Sequence, residues 1–437
     1  MPMNRRDLLF ASGIPLLAGA RAFGQVAAGT PPGAPAQALD GPAARLLEAL
    51  FRNRLPLTMD GGPAGAGWEW LVREARAAQF TLIGEEHGVV ETARFSAALF
   101  DALRSSGYRR IAVEVSPPMA DDFETAARRG LQGVMDFLAL PGVSGMVYAM
   151  REEAQFLVDV VEGAPRNERV LWGLDYELGS DRYLIPKLEA KAPRAARDAV
   201  LRLKEASSNA WARLQRDWNP DDMFSLSQDP ALVSAVRTAW PNPDRESATI
   251  MRALEETLAI TTTQRTEGRF AGLQRRTEWT RRNLAERLRE EGKDGPMPKV
   301  MLKFGYNHMI RGANYLNVFD LGTMADQVAA IEGGRSFHIL VLPGPGSRQA
   351  VLERNYASVS SEEYDEFKAG DQRLTRVLPN TKAAGHEVID LRASRPLAMR
   401  GLEGWNPDVV RTIHGYDAAV IWKGAQASSP VTKASSG

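Results

Sequence analysis

One stretch of the chain, Phe80–Phe95, predicts both a strand and the helix that follows it. Its sequence is Phe-Thr-Leu-Ile-Gly-Glu-Glu-His-Gly-Val-Val-Glu-Thr-Ala-Arg-Phe. The first four residues are an apolar run with two β-branched members, which is typical of a buried strand. After Gly88, apolar residues recur at helical spacing. The stretch is therefore predicted to be a strand that enters a helix through a charged turn.

The turn carries three ionisable residues, Glu85, Glu86 and His87, between two glycines. Because side chains two residues apart share a face of an extended segment, Glu85 and His87 are expected to point the same way. Open α/β sheets bind ligands at the carboxyl ends of their strands. An acid beside an imidazole can orient and tune a general base. The turn is therefore the first candidate for a catalytic site.

Further apolar runs alternate with helical patterns along the chain. Strands are predicted at residues 110–116, 169–177, 299–304, 336–342, 387–391 and 417–422. Residues 181–291 show no strand pattern and are dense in Ala, Leu, Arg and Glu, which predicts a large helical insertion that caps the strand ends. The alternation predicts an α/β fold with a central, mostly parallel sheet flanked by helices.

Four of the predicted strands end in ionisable groups. Glu85 and His87 follow the first strand, Glu114 ends the second, Asp175 the third and His308 the fourth. In a parallel sheet these ends lie at the same edge, so the residues are predicted to converge on one site although they are far apart in sequence.

The composition is that of an ordinary globular protein, with 54 basic and 54 acidic residues among 437. The zero net charge gives no electrostatic reason to expect nucleic-acid binding. The basic run at Arg275 and Arg276 alternates with acids at helical spacing and is interpreted as a solvated face. The absence of cysteine excludes a thiol nucleophile, a thiolate metal site and a disulfide.

The ends of the chain differ in composition from the middle. Arg5 and Arg6 precede an apolar stretch, and residues 1–24 resemble a bacterial twin-arginine signal peptide. We therefore expect export by the twin-arginine machinery to the periplasm or the medium, and a mature protein without a membrane span. Four segments are predicted: the signal at 1–24, a flexible Ala/Gly/Pro-rich leader at 25–67 with one helix at 43–51, an α/β domain at 68–424 and a disordered tail at 425–437.

The charged turn also resembles a known family signature. Gly84-Glu85-Glu86-His87-Gly88 followed by Glu91 resembles the Gly-Glu-x-x-His-Gly-x-x-Glu signature of the erythromycin esterase superfamily, with one residue fewer between Glu and His. The segment is also similar to the opening motif of the haem-binding ChaN proteins, and the Tiki-type metalloproteases are regarded as relatives of both. Further matches, in the same order, are Ile111–Glu114, Trp172–Asp175, Asn307–Arg311, Val388–Arg392 and Tyr416–Val420.

The resemblance implies roles for individual residues. His87 would be the general base toward water and Glu85 its support. Glu114, the second active-site histidine His308 and the helix arginine Arg94 would polarise the substrate carbonyl. Substrate contacts are expected from Glu91, Asp175 and Arg311.

Three functions remain open from the sequence. The first is an exported hydrolase of an ester, lactone or amide small molecule that needs no cofactor. The second is a ChaN-like binding protein for haem or an iron complex. The third is a Tiki-like metalloenzyme in which Glu85, His87, Glu114 and His308 bind zinc, manganese or cobalt.

Overall fold

The computed structural model describes residues 42–217, 219–293, 295–344, 346–350, 360–364, 385–399 and 407–431. Within these ranges, an eight-stranded sheet lies between two layers of helices. Six neighbouring strands are parallel, and two at one edge are added in antiparallel pairings. The predicted fold class, a mostly parallel sheet flanked by helices with a helical insertion, is confirmed.

The strands account for the predicted runs and add three others. They are β1 Arg54–Leu57, β2 Phe80–Glu85, β3 Tyr108–Val113, β4 Leu171–Gly173, β5 Lys299–Gly305, β6 Ser336–Pro343, β7 Gly346–Ala350, β8 Ser360–Tyr364, β9 His386–Asp390 and β10 Ala418–Trp422. The sheet order is β1-β9-β10-β6-β2-β5-β3-β4, and β7 pairs with β8 in a separate hairpin.

Helices connect the strands and build both layers. They are α1 Pro42–Arg52, α2 Ala66–Arg76, α3 Val90–Arg104, α4 Pro117–Ala127, α5 Gly130–Ala139, α6 Arg151–Val161, α7 Asp181–Lys191, α8 Arg197–Asp217, α9 Phe224–Ser227, α10 Ala231–Ala239, α11 Arg245–Glu267, α12 Arg269–Glu291, α13 Tyr306–Met309, α14 Leu321–Ile331, α15 Arg395–Ala398 and α16 Pro407–Gly415. None of the described helices is long and apolar enough to cross a membrane.

Strand β2 lies at the centre of the sheet, between β6 and β5. Glu85 at its end is level with Val341 of β6 and Gly305 of β5. The chain first adds β3 and β4 on one side, then returns to insert β5 next to β2, and afterwards adds β6 on the other side. The strand order therefore changes direction beside β2, which is where open α/β sheets form a ligand crevice.

Alternate residues of β2 enter the cores on opposite faces of the sheet. Ile83 belongs to the apolar cluster formed with α3, α4 and α6, whereas Phe80 and Leu82 belong to the cluster formed with α12 and α14. All six residues of β2 are buried. Burial on both faces explains why this strand reads as an apolar run rather than as an alternating pattern.

Two glycines in the charged turn are required by the backbone. A Cβ atom at Gly84 would lie 3.0 Å from the Cα atom of Tyr306, so only glycine lets α13 approach the end of β2. Gly88 has a φ of 82°, in the left-handed region that favours glycine. Together they hold α13 and the start of α3 close to the end of the central strand.

The helical insertion comprises α7 to α12, and its described residues contain no strand. Its last helix lies against the segment that leaves β4: the Trp279 indole donates to the carbonyl of Asp175 at 3.0 Å, and the Asn283 amide donates to that of Leu174 at 2.8 Å. The predicted third strand, 169–177, is therefore too long. Strand β4 ends at Gly173 because side chains of α12, not a neighbouring strand, satisfy the next carbonyls.

The expected flexible leader at 25–67 is wrong for the part that the structure describes. The helix expected at 43–51 is present as α1, but strand β1 follows it and pairs antiparallel with β9, with Leu55 opposite Val388. Pro56 is tolerated because β1 is an edge strand. Leu46 and Leu50 of α1 are fully buried. Residues 1–41, including the predicted signal peptide, lie outside the described residues.

The expected disordered tail is also wrong for residues 425–431, here called the C-terminal strap. The strap forms backbone hydrogen bonds with the charged turn and with the start of α6: Ser428 donates to Gly88 at 3.0 Å, and Arg151 donates to Ser429 at 2.8 Å. Ala425 and Val431 are buried. This segment is held by backbone hydrogen bonds rather than by a large apolar surface. Composition does not show such bonds, so it suggested disorder.

Candidate functional site

Glu85 and His87 form the first pair of the candidate site. The turn after β2 brings the Nδ1 atom of His87 to 2.9 Å from Oε1 of Glu85. Glu85 is 1% exposed, while the side chain of His87 keeps 12% of its surface accessible. A buried carboxylate thus orients an imidazole whose other nitrogen faces the strand ends.

Glu114 joins the two histidines. It directly follows β3, and its Oε2 atom accepts from the backbone N–H of Gly305 at 2.6 Å. Its two oxygens lie 3.5 Å from Nε2 of His87 and 3.4 Å from Nε2 of His308. His308 in α13 is oriented on its other side by Asp320, whose Oδ2 atom lies 2.8 Å from Nδ1. Each imidazole therefore lies between Glu114 and a second buried carboxylate.

The helical insertion contributes a cation to this cluster. Arg276 of α12 donates from Nη2 to Oε1 of Glu114 at 3.2 Å. The same guanidinium forms a two-point ion pair with Asp175, with Nε 3.0 Å from Oδ1. Its carbon atom Cζ lies 4.6 Å from the ring centre of Tyr176. The insertion therefore reaches the strand ends, and Asp175 holds the arginine in place.

A buried lysine lies behind Glu85. Lys303 of β5 has no exposed side-chain surface, and its Nζ atom donates to Oε1 of Glu85 at 2.8 Å and to Oε2 of Glu153 at 2.9 Å. Glu153 comes from α6 and is 2% exposed. Carboxylates and cations thus alternate along a connected series from Glu153 to Asp320.

This alternation shifts the pKa values of both imidazoles upward. Burial alone would lower the pKa of His87, but the hydrogen bonds and charges of Glu114 and Glu85 outweigh it and raise the pKa to about 9. Burial would likewise lower the pKa of His308, but Asp320 and Glu114 raise it to about 10. Burial would raise the pKa of Glu114, but the charges and hydrogen bonds of the two histidines hold this pKa well below its ordinary value. Both histidines are therefore imidazolium ions at neutral pH.

The structure brings together most of the residues predicted for the site. Of the residues singled out, those in contact through the cluster are Glu85, His87, Glu114, Asp175 and His308.

Arg94, Glu91 and Arg311 lie elsewhere. Arg94 is exposed and lines a surface depression beside Asp159. Glu91 is buried but accepts from the backbone N–H of Gln426 in the strap.

Arg311 pairs with Asp326 and Asp417 and donates to Ser336 at the start of β6. Arg311 is only three residues after His308, but its guanidinium is directed to the start of β6, five residues before Val341, the partner of Glu85, and not to Glu114.

Four residues of the cluster were missed by sequence reasoning, namely Arg276, Glu153, Lys303 and Asp320. The interpretation of Arg276 as part of a solvated face is wrong, because this residue is 8% exposed. Arg276 precedes the buried Trp279 and Asn283 by three and seven residues, and this spacing places them on one helix face. Glu153 precedes the buried Phe156 and Leu157 by three and four residues, which also places them on one helix face. Lys303, the third, lies within a buried apolar run, where a charge requires a partner.

The described side chains show no preformed site for the divalent metal that was left open. Among the described residues, no group of three or more His, Cys, Asp and Glu side chains is arranged to hold a metal ion. Both nitrogens of His87 and of His308 lie within 3.5 Å of carboxylate oxygens, so a metal or haem iron would have to displace a carboxylate to reach either imidazole. In this arrangement the side chains bind one another.

Comparisons with known proteins identify the fold. No family model and no curated protein matches the chain. A solved protein from Bacillus cereus is 14% identical over 89% of this chain and 99% of its own, with a TM-score of 0.57. An erythromycin esterase mutant in its open conformation is 13% identical over 88% of this chain and 98% of its own, with a TM-score of 0.53.

A third structure, of ChaN from Campylobacter jejuni with cofacially bound haem, is 10% identical over 85% of this chain and 98% of its own. Its TM-score of 0.33 is too low for a comparison of sites. The chain therefore has an erythromycin esterase-like fold, which confirms the resemblance at the level of the fold.

Proposed function

We propose that this protein is a hydrolase that uses His87 to activate water for attack on an ester, lactone or amide. One observation carries the proposal: two imidazoles meet a single carboxylate, Glu114, at the carboxyl ends of central parallel strands, and each is oriented from behind by a buried acid. This is the arrangement expected of a positioned general base with charged groups beside it.

In the proposed reaction, Nε2 of His87 removes a proton from water while the water oxygen bonds to the carbonyl carbon. The carbonyl π electrons move to oxygen, and the resulting intermediate collapses by expelling the alcohol or amine, which takes the proton from His87. The 3.5 Å contact between Nε2 and Glu114 is long for a hydrogen bond, so water can compete for this nitrogen. Glu85 keeps the ring oriented during both proton transfers.

The developing oxyanion requires donors, and Arg276 supplies them in place of Arg94. Its Nε and Nη2 atoms are bound to Asp175 and Glu114, while Nη1 makes no hydrogen bond to any described residue. Among the contacts of the described residues, the two N–H groups on Nη1 remain available to an oxyanion near Glu114. His308, as an imidazolium, adds positive charge on the other side of Glu114.

A small-molecule substrate and a site of action outside the cytoplasm complete the proposal. The accessible surface of the cluster is small, and the helical insertion lies against the strand ends, which supports a substrate that presents a narrow reactive group. Export is supported by Arg5 and Arg6 before an apolar stretch.

The test is a screen of the purified protein against ester, lactone and amide panels, with and without a chelator, repeated in ¹⁸O-labelled water for any substrate found. We expect one labelled oxygen in the released acid, and loss of turnover in His87→Asn. His414→Asn, a substitution on α16, is the matched control and should retain turnover. Equal turnover in the wild type and in His87→Asn would contradict the proposal.

A further inference from the structure

Glu85, Glu153 and Lys303 form a buried charged triad. Burying these charges costs free energy, and a contribution to stability alone does not explain why they are there. All three side chains are 2% exposed or less. Removing such charges from water is expensive, and a well-packed apolar replacement is often as stable or more stable. A charged triad directly behind a candidate base therefore suggests a role at that base.

One oxygen atom links the triad to His87. Oε1 of Glu85 accepts from Nζ of Lys303 at 2.8 Å and lies 2.9 Å from Nδ1 of His87. Oε2 of Glu85 is buried and has no hydrogen-bond partner among the described residues. Oε1 of Glu85 therefore couples the charge on Lys303 to the imidazole of His87.

The surroundings of Lys303 keep this coupling strong. Its Nζ atom lies 4.9 Å from the ring centre of Phe156 and 5.6 Å from that of Tyr148. Both rings are buried. Since aromatic rings rather than water surround the ammonium group, its field is poorly screened at Glu85.

We propose that Lys303 and Glu153 are positioning residues that fix the Glu85 carboxylate and set the basicity of His87. Lys303 draws negative charge away from Glu85, so that His87 holds its proton less firmly than it would beside an isolated carboxylate. Glu153 opposes this by sharing the ammonium group. The proposal rests on the general-base role of His87 for its catalytic meaning, while the coupling itself is a property of the fold.

Charged and titratable groups surround His87 from several elements. They are Glu86 and Glu91 in its own segment, Glu85 of β2, Glu114 after β3, Tyr148 before α6, Glu153 of α6, Arg276 of α12, Lys303 of β5 and His308 of α13. Single substitutions at Lys303 and at Glu153 leave the others in place. A shift measured at His87 can therefore be assigned to the triad.

The experiment measures the pKa of the His87 imidazole by NMR in the full chain with ¹⁵N-labelled histidine, with the resonance assigned from His87→Asn. In Lys303→Met we expect this pKa to rise by about one unit or more, because a nearby cation is lost. In Glu153→Gln we expect it to fall, because Lys303 then pairs with Glu85 alone. The pH at which turnover rises should move in the same directions.

Lys299→Met is the matched control, since Lys299 lies in the same strand about 13 Å earlier and should leave the pKa of His87 unchanged. If Lys303→Met does not fold, Glu153→Gln decides the question. An unchanged pKa of His87 in the folded variants would overturn the proposal and leave the hydrolase function standing. Shifted pKa values together with full turnover in His87→Asn would support the coupling and contradict the hydrolase function.

Discussion

At the scale of single residues, the neighbours Arg276 and Arg275 differ in burial and in the groups that they contact. Arg276 is buried against Glu114 and Asp175, whereas Arg275 is 41% exposed and pairs with Glu256. One helical step separates a residue of the candidate site from a surface residue. A basic run in a sequence therefore does not show which of its members is solvated.

We expect Arg276→Met to lower kcat by about 100-fold, the effect of removing one donor to an oxyanion. Arg275→Met should leave kcat unchanged, because it changes the same charge at a position that does not reach the cluster. Steady-state kinetics on a substrate from the screen would measure both. A loss confined to KM in Arg276→Met would show that this arginine binds substrate without stabilising the transition state.

The residues that could be predicted from the sequence are those placed by strand ends. Glu85, His87, Glu114 and Asp175 each follow an apolar run, and parallel strands deliver such positions to one edge. Lys303 could not be found in this way because it lies within a run rather than at its end. Its partners on other elements become visible only when the sheet and α6 are assembled.

At the scale of elements, the C-terminal strap is tied to the charged turn. Residues 426 and 428 exchange backbone hydrogen bonds with Val90 and Gly88, and Gln426 also donates to Glu91. The strap therefore braces the segment that carries His87.

A chain that ends at Gly424 should be less stable than one that ends at Val431 by about 2–5 kcal/mol, since several hydrogen bonds of about 1 kcal/mol each are lost together with buried apolar surface. Urea denaturation of the two chains measures the difference. Equal free energies of unfolding would show that the strap contributes nothing to the fold.

The elements that sequence reasoning misjudged are held by pairing rather than by apolar content. Strand β1 has four residues and includes Pro56, and the strap is rich in small and polar residues. Both join other segments through backbone hydrogen bonds, which composition does not record. The long apolar runs and the helical insertion could be predicted because burial imposes a pattern on their sequences.

At the scale of the whole molecule, the raised pKa values of His87 and His308 link folding to pH. Each of these pKa values in the folded protein exceeds the ordinary value of 6.5, so the folded state binds the proton more tightly than the unfolded state. The stabilisation that this gives to the folded state is fully present below about pH 6.5. It is lost as the pH rises through about 9 and 10.

The free energy of unfolding should therefore fall between pH 7 and pH 10, with a contribution on the order of 1–3 kcal/mol from each imidazole. His308→Gln should show a smaller fall over this range, because one of the two titrating groups is gone. Chemical denaturation at a series of pH values would measure it. A parallel curve for the variant would contradict the raised pKa of His308.

Export, proposed from Arg5 and Arg6, is tested at the scale of the whole chain. Replacing both Arg5 and Arg6 by lysine should leave the precursor in the cytoplasm, because paired arginines are the feature that twin-arginine export reads. Cell fractionation of the two forms in a bacterial host gives the answer. Normal export of the lysine form would exclude this route.

The most direct test of the general-base role is the pH dependence of turnover in the wild type and in His87→Asn. We predict that wild-type turnover rises with pH along a limb centred near 9, as the imidazolium of His87 loses its proton. In His87→Asn, turnover should be about 100- to 10,000-fold lower and this limb should be absent. A folded His87→Asn protein that keeps both its turnover and the rising limb would contradict the account.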